Sequence, residues 1–318
     1  MLKQPVTNRA EPVGRENGKR VTVLVCTRNR PDDVARLLES LRRQSFPDFD
    51  ILIVDQSTDD WTQQLVQGFE SASLRYERHD QTGKSRALDG ELPGRMSYFD
   101  TSPSRYELIA RLTPSWLADG LAELEADPAI GLLFGNFVPA THDRRREFIP
   151  AIHFNTPRTF HGKPWRSYGL VGMGGEMFRS RCLFDSVGGF DEDLGPGGPL
   201  RTGEECELTY RALVGGFAVA QRPHIRVTHW GARPLANGVA KKLVNDGFFA
   251  VGAGYGKHIR RGEIRAAIIA AHESLWALGL TGKAIAGGKG PFHLRRNALF
   301  WQGVVQGFRY RLATPAFR

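Results

Sequence analysis

The sequence predicts an α/β fold in which a doubly wound, mostly parallel sheet is flanked by helices and followed by a helical segment. Two observations support this fold class. Short apolar runs rich in β-branched residues alternate with helical patterns over the first 80 residues, as in βαβ units. After Gly238 the pattern is helical to the end, with a break at 287–291. The 318 residues suffice for one large α/β domain and a small appendage.

The clearest secondary-structure signals lie in the first quarter of the chain. The run from Val21 to Cys26 is almost wholly apolar, as expected for a parallel strand that is buried on both faces. The helical pattern that follows has Pro31 near its start, where the fixed φ of proline suits a helix. In order, the predicted strand, helix, strand, helix and strand span residues 21–26, 32–44, 51–54, 59–69 and 74–76. Ligands bind such sheets at the carboxyl ends of the strands.

The rest of the chain gives less regular signals. Polar, proline and aromatic residues fill 143–168, which predicts a long loop over a site. Helices are predicted over 115–126, 183–187 and 204–214, and strands over 130–134, 217–220 and 225–227.

Charge and cysteine content limit the function classes. The three cysteines are far apart and odd in number, which excludes a disulfide framework and suits a reducing compartment. The net charge of +9 suits anionic partners. Beyond residue 235, thirteen lysines and arginines face only three acidic residues, so the positive charge belongs to the tail. Nucleic acid is not a predicted partner, because no recognisable binding motif accompanies the charge.

The predicted organisation has three parts: a flexible segment over 1–19, a catalytic domain over 20–235 and a basic helical region over 236–318. The first part lacks the apolar core of a signal peptide, and no stretch reaches the roughly 18 apolar residues that cross a bilayer. We therefore expect a cytoplasmic protein. The basic region has two interpretations: a helical cap packed on the catalytic domain, or a surface in peripheral contact with anionic lipid at the inner face of the membrane.

Polar and cationic side chains follow the first two predicted strands and a later glycine, Gly83. A carboxylate directly after an apolar strand can accept hydrogen bonds from a base or ribose; an Asx turn or helix cap is the alternative. Two cations behind Gly83 suit a diphosphate, but the spacing is not that of a P-loop. The candidate nucleotide-binding residues are Thr27, Arg28, Asn29, Asp55, Ser57, Lys84 and Arg86.

These segments resemble the start of the family 2 glycosyltransferases, whose fold is called GT-A. The resemblance rests on "TRNRP" at 27–31, "VDxSTD" at 54–59 and a "GxSxAxN"-like segment from Gly83, in which Asp89 stands where asparagine is common. It implies that Thr27, Arg28 and Asp55 hold a uridine-type nucleotide, and that Lys84 and Arg86 lie near the phosphates.

A second block, 172–179, 188–195 and 202–211, resembles the acceptor side of the same family. The family's "GEDxDL" motif corresponds here to Gly203-Glu204-Glu205-Cys206-Glu207-Leu208. The resemblance implies that Glu205 is the general base for the acceptor hydroxyl, with Glu204 beside it, and an inverting transfer needs one such carboxylate. The alternative is an acidic first helical turn that stabilises the helix dipole.

The family also implies a bound Mg²⁺ or Mn²⁺, held by an acidic cluster that this sequence lacks. The cluster is expected on a strand before the recognisable "TPSWL" helix start at 113–117, where only Asp100 and Glu107 are near and neither has the spacing. His229 falls where the family often has a histidine that binds metal or contacts the diphosphate. A structural histidine is the alternative.

Three explanations for the missing cluster stay open. Cations such as Arg105 or Arg111 could replace the metal. The chain could be a catalytically impaired relative that only binds nucleotide sugars. Residues from about 89 to 112 could also derive from a compensated frameshift.

The resemblance implies transfer of a sugar from a UDP- or dTDP-linked donor to a hydroxyl on a glycan or lipid-linked acceptor, as in cell-wall or polysaccharide biosynthesis. Two other hypotheses are a nucleotide-sugar binding protein without catalysis and an unrelated nucleotide-binding α/β protein. The last would be disfavoured if the second block docks against the first at the strand ends.

Overall fold

The computed structural model describes residues 21–69, 71, 73–80, 83, 85, 111–162, 172–288 and 293–310, and the backbone alone of 96–101, 110 and 292. The strands in these residues are β1 (Val21–Thr27), β2 (Phe49–Asp55), β3 (Leu74–Arg78), β4 (Met96–Thr101), β5 (Ala110–Leu112), β6 (Ile130–Pro139), β7 (Glu147–Phe148), β8 (Arg158–Phe160), β9 (Met177–Arg179), β10 (Ala218–His229) and β11 (Arg233–Pro234). The helices are α1 (Pro31–Arg42), α2 (Trp61–Gln67), α3 (Trp116–Ala126), α4 (Arg181–Val187), α5 (Glu204–Val214), α6 (Val239–Arg260), α7 (Ile264–Ala286) and α8 (Phe292–Arg309), with a 3₁₀ turn at Gly174–Glu176.

The main sheet has the strand order β3-β2-β1-β4-β9-β6-β10-β5, and β8 pairs with β10. Strands β3, β2, β1 and β4 are parallel neighbours, as are β6 and β10. Strand β9 joins the two groups and is antiparallel to both β4 and β6. The sheet is therefore mostly parallel and doubly wound, which confirms the predicted fold class.

Helices cover both faces of the sheet. Val23 and Val25 of β1 point into a core formed with α1 and α3. Leu24 and Cys26, which alternate with them, point into a core formed with α4, α5 and the last three helices. Burial on both faces explains why β1 is apolar at successive positions instead of alternating with polar residues.

The carboxyl-terminal helices pack closely on each other. A Cβ built at Gly252 of α6 would lie 2.0 Å from the carbonyl oxygen of Phe300, and one at Gly303 of α8 would lie 1.9 Å from that of Phe249. Only glycine allows these backbones to approach so closely. Side chains of all three helices, among them Tyr255, join the core under the sheet, so this segment packs on the sheet as a helical layer.

Two local differences from the sequence prediction have clear causes. The strands expected over 217–220 and 225–227 form one strand, β10, with an irregular register between Arg222 and Arg226. Pro223 lies in that interval, and a proline cannot donate to a sheet ladder. The expected loop over 143–168 contains β7 and β8, which at two and three residues are too short to produce a periodic signal. Within the described chain, no helix is long and apolar enough to cross a membrane.

Candidate active site

The loops after β1 and β2 are joined at the carboxyl edge of the sheet. The strand register places Thr27 opposite Asp55. The backbone N–H of Asn29 donates to Oγ of Ser57 at 2.7 Å, and Oδ1 of Asn29 accepts from the N–H of Thr58 at 2.8 Å. Asn29 adopts a positive φ of 55°, which brings it into this position. Thr27, Asn29, Asp55 and Ser57 therefore meet at one edge, and Arg28 lies half-buried between Thr27 and Asn29.

The carboxylate of Asp55 is wholly buried and is held by three donors. Its Oδ1 accepts from the backbone N–H of Ser57 at 2.8 Å and from the Ser57 hydroxyl. Its Oδ2 accepts from the hydroxyl of Tyr76 at 2.8 Å. Burial and the contact with Asp55 raise the pKa of Tyr76 to about 12, so this phenol stays a donor at neutral pH. Asp55 thus forms the Asx turn considered above and also has a rigidly fixed oxygen at the sheet edge.

The segment around Gly83 docks against the second block. Gln56 binds the backbone of Gly83 through both its amide nitrogen and its amide oxygen, at 3.0 and 3.3 Å. The Ser85 hydroxyl donates to the carbonyl of Leu194 at 2.7 Å. A Cβ at Gly195 would lie 2.7 Å from Oγ of Ser85 and 3.4 Å from the carboxylate of Glu204. The two blocks therefore meet at the strand ends, which argues against an unrelated nucleotide-binding fold.

Glu205 lies at the same edge. Its Oε1 accepts from the backbone N–H of Gly174 at 3.0 Å. Gly174 begins the 3₁₀ turn before β9, and the antiparallel register with β4 places that turn level with the carboxyl end of β4. Oε2 of Glu205 is buried and has no hydrogen-bond partner among the described residues. One oxygen is thus fixed by the backbone, and the other is left to act on a ligand.

The acids that flank Glu205 lie in different surroundings. Glu204 is buried against Gly195. Glu207 is buried in a bidentate ion pair with Arg211, at 2.7 to 2.9 Å, and contacts His258 at 2.9 Å. Burial raises the pKa of Glu207, but Arg211 and His258 more than offset this and hold it well below its usual range. Of these three acids, Glu205 alone borders the large cavity found in the described residues.

That cavity has a volume of about 320 Å³ and lies between the first turn of α5 and the last three helices. Most of its wall is carbon, contributed by Ile152, Met173, Phe248 and Phe300 among others. Thr27, Asp55 and Ser57 do not line it. The arrangement provides a polar strand-end region and an apolar cavity, and Glu205 borders the cavity.

His229 ends β10 and is buried. Its Nδ1–H donates to the carbonyl of Pro150 at 2.9 Å, and its ring lies 4.4 Å from that of Phe137, centroid to centroid. In the neutral ring this hydrogen bond leaves the lone pair on Nε2, the form in which a histidine binds metal or accepts a hydrogen bond. A structural role and a site role are both compatible with this geometry.

The described residues do not fit a divalent metal. No group of three histidine, cysteine, aspartate or glutamate side chains comes together in the part of the chain that the structure describes. Asp100 lies on β4 opposite Cys26 of β1, which puts it at the correct edge without acidic neighbours in the register. Arg111 is exposed and lines a surface depression with Arg36 and Trp230. Lys84, Arg86, Arg105, Glu107 and most of 89–112 lie outside the described residues.

Sequence reasoning missed two residues that shape the site. Tyr76 fixes Asp55 from β3, where the register pairs it with Ile53. Glu176 is 1 % exposed, and burial raises the pKa of its carboxyl well above the usual range. The predicted parallel order of β2 and β3 pointed to the first contact, but the register that creates it is not encoded in any local motif.

Comparison with known proteins tests the family resemblance that the sequence suggested. Residues 22–90 match the family described as Glycosyl transferase family 2. The match confirms the chain's resemblance to the family 2 glycosyltransferases. It covers both strand-end segments and the region around Gly83. No curated protein matches the chain in sequence.

Several solved structures have a similar fold. A mannosyltransferase from Pyrobaculum calidifontis, PcManGT, in complex with GDP-Man and Mn²⁺, is 17% identical with a TM-score of 0.58, over 94% of this chain and 91% of that one. S. aureus TarS 1–349 is 16% identical with a TM-score of 0.52, over 74% of this chain and 65% of that one. The same protein in complex with UDP-GlcNAc is 16% identical with a TM-score of 0.53, over 74% of this chain and 66% of that one. These structural similarities establish the GT-A fold, and identities this low support no finer assignment. Against TarS, the chain spans about two thirds of the longer protein.

Proposed function

We propose that the chain transfers a sugar, with inversion, from a nucleoside diphosphate sugar to an acceptor hydroxyl, and that Glu205 is the general base. The observation that carries the proposal is the position of Glu205. One of its oxygens is fixed by Gly174 at the carboxyl edge of the sheet, and the other has no partner among the described residues. The docking of Ser85 on Leu194 brings the two halves of the site together at that edge.

The reaction needs one proton acceptor and one leaving group. The acceptor oxygen attacks C1 of the sugar from the face opposite the nucleotide, and a C–O bond forms as the bond between C1 and the diphosphate oxygen breaks. The electron pair of the broken bond leaves with the nucleoside diphosphate. The hydroxyl proton passes to Oε2 of Glu205.

The donor is assigned to the strand ends. Asp55, with its oxygens fixed by Ser57 and Tyr76, is proposed to bind the base or ribose, with Thr27, Arg28 and Asn29 around it. Lys84 and Arg86 are proposed to lie near the diphosphate. The complexes of PcManGT with GDP-Man and of TarS with UDP-GlcNAc support a nucleotide sugar as the donor class. We propose UDP or dTDP as its nucleotide.

Divalent metal use is expected from the family and from the Mn²⁺ bound to PcManGT. The described residues supply no site for it, so the proposed step uses none. His229 remains our proposed contact for a metal or diphosphate, because its Nδ1 hydrogen bond leaves Nε2 as the acceptor nitrogen.

The lack of a metal site in the described residues supports a second candidate function, a nucleotide-sugar binding protein without turnover. In that case the strand-end region would bind a donor, and Glu205 would be one acid in a helical first turn. Both functions require binding of a nucleotide sugar, and only the first includes sugar transfer.

The test is UDP affinity by calorimetry, with and without Mn²⁺, combined with sugar transfer by Glu205→Gln. Glutamine keeps the acceptor for the Gly174 N–H but cannot take a proton. We expect binding to be unchanged and transfer to fall by about 10²- to 10⁴-fold. Glu39→Gln, an exposed carboxylate on α1, is the matched control. No turnover in wild type with UDP bound would favour the binding protein, and absence of UDP, dTDP and GDP binding would refute both.

A further inference from the structure

We propose that the cavity beside Glu205 holds the apolar part of an amphiphilic acceptor, and that Arg296 at the same cavity binds the acceptor's anionic group. The inference rests on the proposed function for calling the ligand an acceptor, because that function makes Glu205 the base. The chemical class of the ligand is argued separately, from the lining of the cavity.

The size of the cavity is compatible with a small ligand. The cavity opens to the surface, and its volume between α5 and the last three helices is about 320 Å³. It falls at the lower end of the range for small-molecule pockets, roughly 300–1,000 Å³.

The lining indicates an apolar ligand. Leu243, Phe248 and Val251 of α6 face Met173 and Phe300 across the cavity. A glycan in this space would lose hydrogen bonds to water that these side chains cannot replace, whereas an alkyl or isoprenoid chain would gain from burial. The polar side chains of the lining are one cation, two carboxylates and three neutral groups: Arg296, Glu205, Glu273, Thr202, Cys206 and Asn297.

Arg296 is the cation among those polar side chains. Its Cζ lies 4.4 Å from the ring centroid of Phe248 and 5.7 Å from that of Trp276. Burial lowers the pKa of Arg296, and Glu273 partly offsets this. A guanidinium stacked on aromatic rings keeps its N–H edge for a planar or tetrahedral anion, so it suits a phosphate or diphosphate.

Exposed apolar side chains also lie on α7 and α8, which both contribute to the cavity lining. Trp276, which contacts Arg296, is half exposed, and Leu275, Leu278 and Trp301 are exposed nearby in the sequence of the same helices. This helical pair lies in the most basic part of the chain. An amphiphile with an anionic headgroup, drawn from an anionic membrane surface, matches both features.

The test measures binding of farnesyl phosphate to the full chain by calorimetry, with farnesol and inorganic phosphate as partial ligands. Gly247→Leu on α6 fills the cavity, since Gly247 lines it and a Cβ there meets nothing within 4 Å. Gly279→Leu on α7 is the matched control, because its Cβ position is equally open but lies outside the cavity lining. We expect Gly247→Leu to weaken farnesyl phosphate roughly tenfold or more, the loss expected when apolar contacts are blocked. Gly279→Leu should have no effect, and both variants should keep wild-type UDP affinity.

Arg296→Met tests the anionic contact, because methionine keeps the packing on Phe248 without the charge. Farnesyl phosphate should weaken more than farnesol does. Failure of wild type to bind farnesyl phosphate, equal binding by the two glycine variants, or tighter binding of inorganic phosphate than of farnesyl phosphate would each overturn the inference. Cavity-dependent farnesyl phosphate binding without any nucleotide binding would refute the proposed function and leave the ligand class standing. Transfer to a water-soluble oligosaccharide at a rate unaffected by Gly247→Leu would refute the ligand class and leave the proposed function standing.

Discussion

Nε2 of His258 on α6 lies 2.9 Å from Oε1 of Glu207 on α5, and both side chains are buried. On its other side, Nδ1 of His258 lies 3.2 Å from Glu263, which also accepts from the Tyr210 hydroxyl at 2.7 Å. Burial lowers the pKa of His258, but hydrogen bonds to Glu207 and Glu263 raise it above its usual value overall. The acidic motif on α5 is therefore tied to the carboxyl-terminal helices by a charged imidazole.

A second buried ion-pair contact is made by Lys257, the residue before His258 on α6. Nζ of Lys257, which is buried, lies 2.6 Å from both Asp191 and Asp193 of the second block. Acids that the family resemblance placed on the acceptor side thus hold α6 against the second block. We infer that α6 is required for the geometry of α5, which carries Glu205.

His258→Gln should destabilise the fold by about 3 kcal/mol at pH 6, because breaking a buried charged pair leaves Glu207 without one of its partners. The folded-state pKa of His258 is raised, so its contribution is fully present below the unfolded value of about 6.5 and is lost as pH rises through the folded value. The deficit of the variant should therefore shrink towards alkaline pH. Urea unfolding from pH 6 to 9 measures this, and exposed His224→Gln is the control. A deficit independent of pH would contradict a charged His258.

Glu176→Gln should make the chain more stable than wild type at pH 7.5 and equal to it near pH 4. The pKa of Glu176 is raised by burial, so stability is complete below the unfolded value of about 4.3 and is lost as pH rises towards the folded value. Each pH unit in that window costs wild type about 1.4 kcal/mol. Unfolding free energies across pH 4 to 7.5 measure the difference in slope. Equal slopes for wild type and Glu176→Gln would show that Glu176 ionises normally, and exposed Glu77→Gln is the reference.

Gly303→Ala should destabilise the chain by about 1–3 kcal/mol, because its Cβ would lie 1.9 Å from the carbonyl oxygen of Phe249 and force α6 and α8 apart. Gly279→Ala on α7 meets nothing within 4 Å and should stabilise by up to about 1 kcal/mol through helix propensity alone. Denaturant unfolding of the pair separates the two effects. A neutral Gly303→Ala would mean that the helix crossing yields without cost.

The sequence was sufficient to predict what depends on local pattern. Strand β1 was predicted because it is apolar on both faces, and α5 was predicted from Glu204 to Val214, the bounds that it has. The contacts of His258 with Glu207 and of Lys257 with Asp191 and Asp193 were not predicted, because packing joins positions more than fifty residues apart. The cavity was missed for the same reason, since its walls come from six separate segments. The site residues remain predictions, and for Lys84 and Arg86 the structure adds no geometry.

Tyr76→Phe should weaken UDP binding, because it removes the 2.8 Å hydrogen bond that fixes Oδ2 of Asp55. A hydrogen bond to a charged group contributes about 1.5–3 kcal/mol, so a loss of roughly tenfold or more in affinity is expected if Asp55 contacts the nucleotide. Calorimetry on wild type, Tyr76→Phe, Asp55→Asn and the double variant measures the coupling between the two positions. If Tyr76 acts only through Asp55, the phenylalanine substitution should have little further effect in the Asp55→Asn background. Additive losses would instead place Tyr76 in direct contact with the nucleotide, and unchanged affinity in all variants would remove Asp55 from the nucleotide site.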